Sequence, residues 1–314
     1  MINTTRSVLR YPGGKARFAP LLAQAMDMNG MNDRVLIEAF CGGSAVSIAF
    51  LLDGIVESAI INDADPLVSA FWSCVFNEKD AAWLAKRALT IELSINEWKR
   101  QKALTPANKR DAALKCLYLN RTSFNGILHQ AGPIGGWGQE KRTLGARFNQ
   151  EKIYQKILDL SKLTGRVQVF NEDWKSFCDK HKDNEKAFFY LDPPYYYKAN
   201  QLYGYIFDEA GHVELRDYLI DLESPWILSY DVSRDVRNLY KGCGFEARVI
   251  DQTYSAHPLG GSSFIGRELL YTNMQKLPPP GEEKSSHTGI SIRGSVSAWS
   301  AKREPARFPV NTYA

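Results

Sequence analysis

The apolar positions of this chain change period as it is read. After the turn Tyr11-Pro12-Gly13-Gly14-Lys15, the residues Phe18, Leu21, Leu22 and Ala25 share one face at helical spacing, which predicts a helix. Val35 to Phe40 is a short apolar run, read as a buried strand, and Cys41-Gly42-Gly43-Ser44 turns the chain into a helix over Ala45 to Leu52. Ala59 to Asn62 is a second strand ending in Asp63-Ala64-Asp65, and Pro66 fits the first position of the next helix, where its missing N–H costs little. Residues 78–128 are helical in character: Ser94 and Glu97 have capping-box spacing, and Thr105-Pro106 reads as a helix start running through Ala112, Leu114 and Leu117. The Gly-rich stretch 130–138 suits a hairpin tip, and 151–163 returns to helix. Strands reappear at Val167–Phe170, Phe188–Leu191 and Trp226–Ser229, with a helix at about 209–222 and another from Ser233. Segments 246–254 and 267–273 fit an antiparallel pair around Gly260-Gly261-Ser262-Ser263. From Pro278 onward the chain is rich in Pro, Gly and Ser, and 278–314 is read as a mostly disordered tail.

Alternating strands and helices indicate an α/β fold with a mainly parallel sheet. The helical stretch interrupts this alternation. The expected division is therefore a catalytic domain over 1–76 and 164–277 with an inserted helical lobe over 77–163. The 314 residues, 44% hydrophobic and 24% charged, suffice for a full core. No apolar run approaches the roughly 18 residues of a membrane span, and Met1 to Lys15 has no apolar signal region. Cytoplasmic residence, in a bacterium or as a phage protein within one, is expected. The five cysteines are scattered without a Cys-x-x-Cys pair or a nearby His, so reduced thiols and no bound metal are expected. Net charge is +4, yet residues 95–166 hold 14 Lys/Arg against 5 Asp/Glu, leaving the rest of the chain net acidic. That local excess suits a polyanion; a solvated helical face explains it as well.

Chemistry concentrates at strand ends. Gly42 and Gly43 allow close approach of a ligand to the backbone, and the following helix N-terminus can meet a phosphate or an amino-acid carboxylate. Asp63 closes the next strand about 20 residues later, where such folds place a carboxylate on ribose hydroxyls. Together they indicate an adenosine-type cofactor, and the absence of a third glycine tilts away from NAD. Asp192-Pro193-Pro194-Tyr195 follows an apolar strand. The prolines stiffen its end and push the preceding residues to extended conformations. An aromatic amine is a weak nucleophile because its lone pair is conjugated into the ring. The Asp192 carboxylate and the Pro193 carbonyl could accept its hydrogens, and Tyr195 could stack on the base, so that catalysis rests on positioning and preorganised charge.

The ordered set RYPGGK (10–15), EAFCGGSAV (38–46), NDADPLV (62–68), LNRTSFNGI (119–127) and DPPYY (192–196) resembles the Dam-type, D12-class adenine-N6 DNA methyltransferases in their alpha arrangement, over about residues 9 to 275. The resemblance implies a Rossmann-like, S-adenosylmethionine-dependent methyltransferase fold with an inserted target-recognition lobe. It implies that Tyr11 and Lys15 help enclose S-adenosyl-L-methionine, that Gly42 belongs to the cofactor loop and Asp63 to the ribose, and that Asp192 to Tyr195 are catalytic, with Asp192 also near the cofactor. It places Arg121, Phe124 and Asn125 against double-stranded DNA, with Phe124 entering the gap left by a flipped adenine. Lys99, Arg100, Lys109, Arg110, Lys141 and Arg142 are candidates for phosphates. The sequence departs from the family pattern at Ser44, often Gly, and Ala39, often Pro. His129 stands where enzymes of this type that read GATC carry a basic residue, so it is grouped with the DNA-binding residues and no target site is assigned. A monomer is expected, with a separately encoded restriction enzyme as a conceivable companion. Methylation of cytosine N4 or RNA adenine, and a DNA-binding relative without catalysis, are the alternative functions.

Overall fold

The computed structural model describes residues 7–11, 15–31, 33–139, 143–196, 207–254, 264–279 and 290–295. Pro12 to Gly14, Lys141, Arg142, the 260–263 loop and most of the 278–314 segment lie outside the described residues.

Four short strands, β1 (Val35–Glu38), β2 (Ser58–Asn62), β3 (Val167–Phe170) and β4 (Ala187–Leu191), run parallel with β5 (Trp226–Asp231). β6 (Glu246–Tyr254), β7 (Phe264–Thr272) and β8 (Ile290–Ser295) complete an eight-stranded sheet of order β3-β2-β1-β4-β5-β7-β6-β8. β7 is antiparallel to β5, and β6 is antiparallel to both β7 and β8. All five residues of β4 are buried, because helices cover both faces of the sheet; this is why it reads as an unbroken apolar run.

One face is covered by α1 (Ala19–Met28), α2 (Ala45–Leu52) and α3 (Pro66–Val75), and the other by α8 (Trp174–His181), α9 (Glu209–Asp221) and α10 (Arg234–Leu239). Between α3 and β3 come α4 (Glu78–Thr90), α5 (Ile95–Ala103), α6 (Lys109–Thr122) and α7 (Gln150–Ser161). These helices share one apolar cluster with α1 to α3: Phe71 and Trp72 belong to the same core as Leu84, Leu117 and Ile157. The insert thus continues the first face of the catalytic layer.

Several local expectations shift. β1 stops at Glu38. α6 starts three residues beyond Pro106, because Asn108 supplies the cap: its side-chain oxygen accepts from Asp111 N at 3.0 Å. Ser94 caps α5 as expected, accepting from Glu97 N at 3.2 Å. Residues 290–295, expected in a disordered tail, form a strand because the free edge of β6 satisfies their backbone groups. No helix among the described residues is long and apolar enough to cross a membrane, and no group of His, Cys, Asp and Glu there could hold a metal ion.

Candidate active site

The strand order reverses between β1 and β4, and an open α/β sheet binds its ligands in the crevice at the carboxyl ends of such strands. Glu38 ends β1 beside Tyr190 of β4, and Asp192 follows one residue after β4 ends. An open cleft lies here. Of the sequence-expected cofactor residues, Tyr11, Lys15, Gly42, Asp63 and Asp192 all line it, joined by Pro194 of the expected catalytic motif.

The turn after β1 is fixed from several sides. Gly42 N donates to Asp63 Oδ2 at 2.8 Å, Trp72 Nε1 donates to Gly42 O at 2.8 Å, and Ser7 Oγ donates to Gly43 O at 2.6 Å. Gly42 has φ +43°, and a Cβ there would stand 2.8 Å from two atoms of the Tyr11 ring. Glycine is therefore required both for conformation and for the ring lying over the turn. Ser44 also adopts a left-handed conformation, φ 45°. A position often glycine in the family pattern thus keeps the glycine-like backbone with a serine. Its Oγ lies 3.5 Å from Glu38 Oε2, which also accepts from Ser47 Oγ.

Asp63 is engaged by the backbone. Its Oδ2 holds Gly42 N, and its Oδ1 accepts from Asp65 N at 2.9 Å. Burial and the neighbouring Asp65 push its carboxyl up to about 7. Burial pushes Glu38, which is 3% exposed, up to about 8. Glu38, Asp63, Asp65 and Asp192 line the cleft, and Lys15 is the sole Lys or Arg among the lining residues. These carboxyl oxygens suit a ligand that carries hydroxyl groups. The glycine cradle under Tyr11 suits a flat or slender group against the backbone.

The Asp192-Pro193-Pro194-Tyr195 segment is held by buried partners. Lys15 Nζ lies 2.9 Å from Asp192 Oδ1, which also accepts from Ser229 Oγ at 2.7 Å. Ser229 Oγ in turn is 3.0 Å from the Tyr190 hydroxyl. The Tyr195 ring centroid is 5.2 Å from Lys15 Nζ, within cation–π range. Burial alone would lower the pKa of Lys15, but the acidic groups around it, Asp192 foremost, overcome it and hold the ammonium well above its usual range. Glu38, Ser229 and Glu268 were not anticipated as site residues. Glu38 carried a signal, a carboxylate within the apolar run Val35 to Phe40; Glu268 sits in the middle of β7 and Ser229 inside β5, where neither is marked.

The expected DNA-facing residues form a separate group beyond the cleft. Ser123 bridges Pro133, and Phe124 N donates to Gly132 O at 2.9 Å, which closes a loop at the end of α6. Phe124 is 51% exposed on this loop, and Asn125 beside it adopts φ 54°. Arg121 is half-buried instead, donating to Val8 O at 3.4 Å, and burial with Arg10 and Arg147 nearby lowers its pKa to about 10. His129 Nε2 lies 2.7 Å from Asp65 Oδ2, so it is tied to the cofactor side. Lys109 and Arg110 meet Asp80 at 2.7 and 2.8 Å, Arg100 meets Glu97 at 2.6 Å, and Lys99 lies 5.5 Å from the Trp137 ring centroid.

No curated protein matches the chain significantly. Among solved structures, the chain is similar at 12% identity and TM-score 0.39 to a proposed RNA methyltransferase from Pyrococcus horikoshii, covering 84% of this chain and 85% of that one. It is similar at 11% identity and TM-score 0.37 to the rRNA methyltransferase AviRa from Streptomyces viridochromogenes, covering 83% and 85%. A precorrin 8w decarboxylase from Methanobacterium thermoautotrophicum gives 9% identity and TM-score 0.37 over 83% and 92%. The family model for D12 class N6 adenine-specific DNA methyltransferase matches residues 11–256, which takes in the glycine turn, the helical insert and the proline-stiffened strand end together. With that match over most of its length, the chain belongs to the D12 class of N6 adenine-specific DNA methyltransferases, and is a methyltransferase.

Proposed function

We propose that this enzyme methylates N6 of adenine in double-stranded DNA, using S-adenosyl-L-methionine and acting on a base flipped out of the duplex. One observation carries the reading: Asp192 stands at the carboxyl end of β4, held by Lys15 and Ser229, beside a cleft whose turn is fixed by Gly42, Tyr11 and Asp63. Tyr11, Glu38, Gly42 and Asp63 would hold the cofactor. When bound, S-adenosylmethionine supplies an electrophilic methyl group to this site. Asp192 accepts a hydrogen of the substrate amine, the Pro193 carbonyl accepts the other, and Tyr195 offers its ring to the base. The Lys15–Asp192 pair fixes the carboxylate before substrate arrives, so little reorganisation remains for the reaction. The amine is inaccessible inside the stack, which calls for flipping. Its exposure supports Phe124 as the side chain that fills the resulting gap. The charge excess of 95–166 supplies attraction to phosphates. Modification of one base per event fits a monomer, and residence in the cytoplasm fits a DNA substrate.

The test is incubation of purified protein with unmethylated genomic DNA and S-adenosylmethionine, followed by sequencing that maps N6-methyladenine. Methyladenine at a recurring motif, absent with Asp192→Ala, is expected. Methylcytosine or methylated RNA alone would move the assignment to another amine; protein that binds DNA but never the donor would remove the catalytic reading.

A further inference from the structure

One carboxyl at the reaction centre has no part in the chemistry above. Glu268 lies in β7, in register with Asp231 of β5 and Ile250 of β6, and is 3% exposed. Its Oε1 is 3.5 Å from Lys15 Nζ and 3.5 Å from the Tyr195 hydroxyl, while its buried Oε2 has no hydrogen-bond partner among the described residues. Lys15 therefore faces two carboxyl groups, Asp192 at 2.9 Å and Glu268 at 3.5 Å. The side chains of Lys15 and Glu268 are 3% and 5% exposed, and that of Asp192 is 24% exposed. Two carboxylates around one ammonium would leave an unbalanced charge out of water, which is costly. The proton belongs on the acid that is deeper and farther from the ammonium, and that acid is Glu268.

We propose that Glu268 is a positioning residue of the reaction centre: as a neutral acid it anchors the Lys15 ammonium and the Tyr195 hydroxyl, and Asp192 stays as the carboxylate that meets the substrate amine. The inference rests on the methyl-transfer reading of the Asp192 site. Burial pushes the Glu268 carboxyl up to about 8, with Lys15 acting in the opposite sense. Among the described residues, the ionisable groups facing it are Lys15, Asp192, Tyr195 and Asp231; Ile250, its register partner on β6, adds none. Loss of the proton would place a second buried negative charge beside Lys15 and draw the ammonium away from Asp192.

The test compares Glu268→Gln and Glu268→Ala with wild type in the full chain, measuring kcat on unmethylated DNA and, separately, Kd for S-adenosylmethionine. Glutamine keeps a neutral hydrogen-bonding group of the same shape, so its kcat at pH 7 is expected within about threefold of wild type. Alanine frees Lys15 and Tyr195 and is expected to lose on the order of 10–100-fold in kcat with donor Kd changed less than about threefold. Wild-type kcat is expected to fall as pH rises past 8, and that of Glu268→Gln to stay level there. An alanine variant at wild-type rate, a glutamine variant as damaged as alanine, or one alkaline profile shared by wild type and Gln would each overturn the proposal. If circular dichroism shows that the alanine variant does not fold, the comparison of the wild-type and Gln pH profiles decides alone. Wild-type protein that methylates a different amine would overturn the adenine assignment and leave the Glu268 comparison readable on that substrate; wild-type protein without any methyl transfer would overturn both.

Discussion

Replacing Gly42 with alanine adds a single methyl group at the most constrained point of the cofactor turn. The backbone there has φ +43°, and the new Cβ would stand 2.8 Å from two Tyr11 ring atoms. A side chain in the left-handed region costs about 1–2 kcal/mol. The ring must also withdraw by roughly 1 Å to reach ordinary carbon–carbon contact. Tyr11 is a wall of the cleft, so this displacement changes the volume offered to a ligand. Without ligand the turn can relax by loosening the Gly42 N–Asp63 hydrogen bond; ligand binding then has to restore it. The strain, about 2–3 kcal/mol in all, is thus expected in affinity rather than in stability, weakening Kd for S-adenosylmethionine roughly 30–100-fold at tenfold per 1.4 kcal/mol. Isothermal titration gives Kd, and a urea melt gives stability. In a Tyr11→Ala background, which has its own lower affinity because the ring is a wall of the cleft, Gly42→Ala should add the φ cost alone and no steric share. A Gly42→Ala protein that binds donor within about twofold of wild type would refute the reasoning, as would one whose whole loss appears in unfolding free energy.

Glu38, Asp63 and Glu268 have carboxyls held at about 8, 7 and 8, above their unfolded values, so each favours the folded state while protonated. Their contribution is complete below about pH 4 and is lost as pH rises through 7 to 8. The urea midpoint of the ligand-free protein is therefore expected to fall between pH 5 and 8, and less so in Glu38→Gln; an unchanged slope in that variant would refute the Glu38 share. Phe124 is 51% exposed, so Phe124→Ala should leave the melting temperature nearly unchanged. It should slow methylation of fully paired duplex by about tenfold, with the deficit shrinking when the target adenine is mispaired. Arg147 depresses the pKa values of both Arg10 and Arg121 by like-charge repulsion, after burial. Arg147→Gln should raise the urea midpoint slightly while weakening DNA binding and lowering the slope of log K against log salt by about one unit if Arg147 meets a phosphate.

The strands at the heart of the sheet were legible because burial on both faces removes polar residues from them, as in β4 and most of β5. Gly42, Asp63 and Asp192 were legible for a related reason: a carboxylate or glycine turn just beyond an apolar run marks a strand's carboxyl end, where ligands meet a parallel sheet. Legibility failed where the deciding partner is distant in sequence. α8 buries only Trp174, Phe177 and Cys178, one short turn of periodicity that nothing local extends. At the start of α6, Thr105-Pro106 and Asn108 both offer cap chemistry, and the Asn108–Asp111 hydrogen bond decides between them. β8 owes its existence to the edge of β6, roughly 40 residues earlier. Glu268 looks like an ordinary outward residue of a strand, and only the arrival of Lys15 from the other end of the chain makes it part of a site. The position of His129 is marked likewise by Asp65, 64 positions away.

The same long-range contacts join the loop that carries Phe124 to the glycine turn at Gly42. Asn120, fully buried, accepts from Arg10 N at 2.7 Å and donates to Arg10 O at 2.7 Å and Gly126 O at 3.0 Å. Gly126 sits so close to this segment that a Cβ there would lie 2.3 Å from Arg10 O. The loop that presents Phe124 is thereby joined to the backbone that sets Tyr11 over Gly42. A second tie runs from His129 to Asp65, from Asp65 N to Asp63, and from Asp63 to Gly42 N. Asp65 also caps α3 through Leu67 N at 2.9 Å, so it cannot follow His129 without loosening that helix. Two ties of this kind, through separate residues, give a displacement of Tyr11 or Asp63 two direct contacts through which to reach the loop. Any coupling through them is reciprocal: a ligand held by the loop would alter affinity at the turn by the same factor that a ligand at the turn alters affinity at the loop.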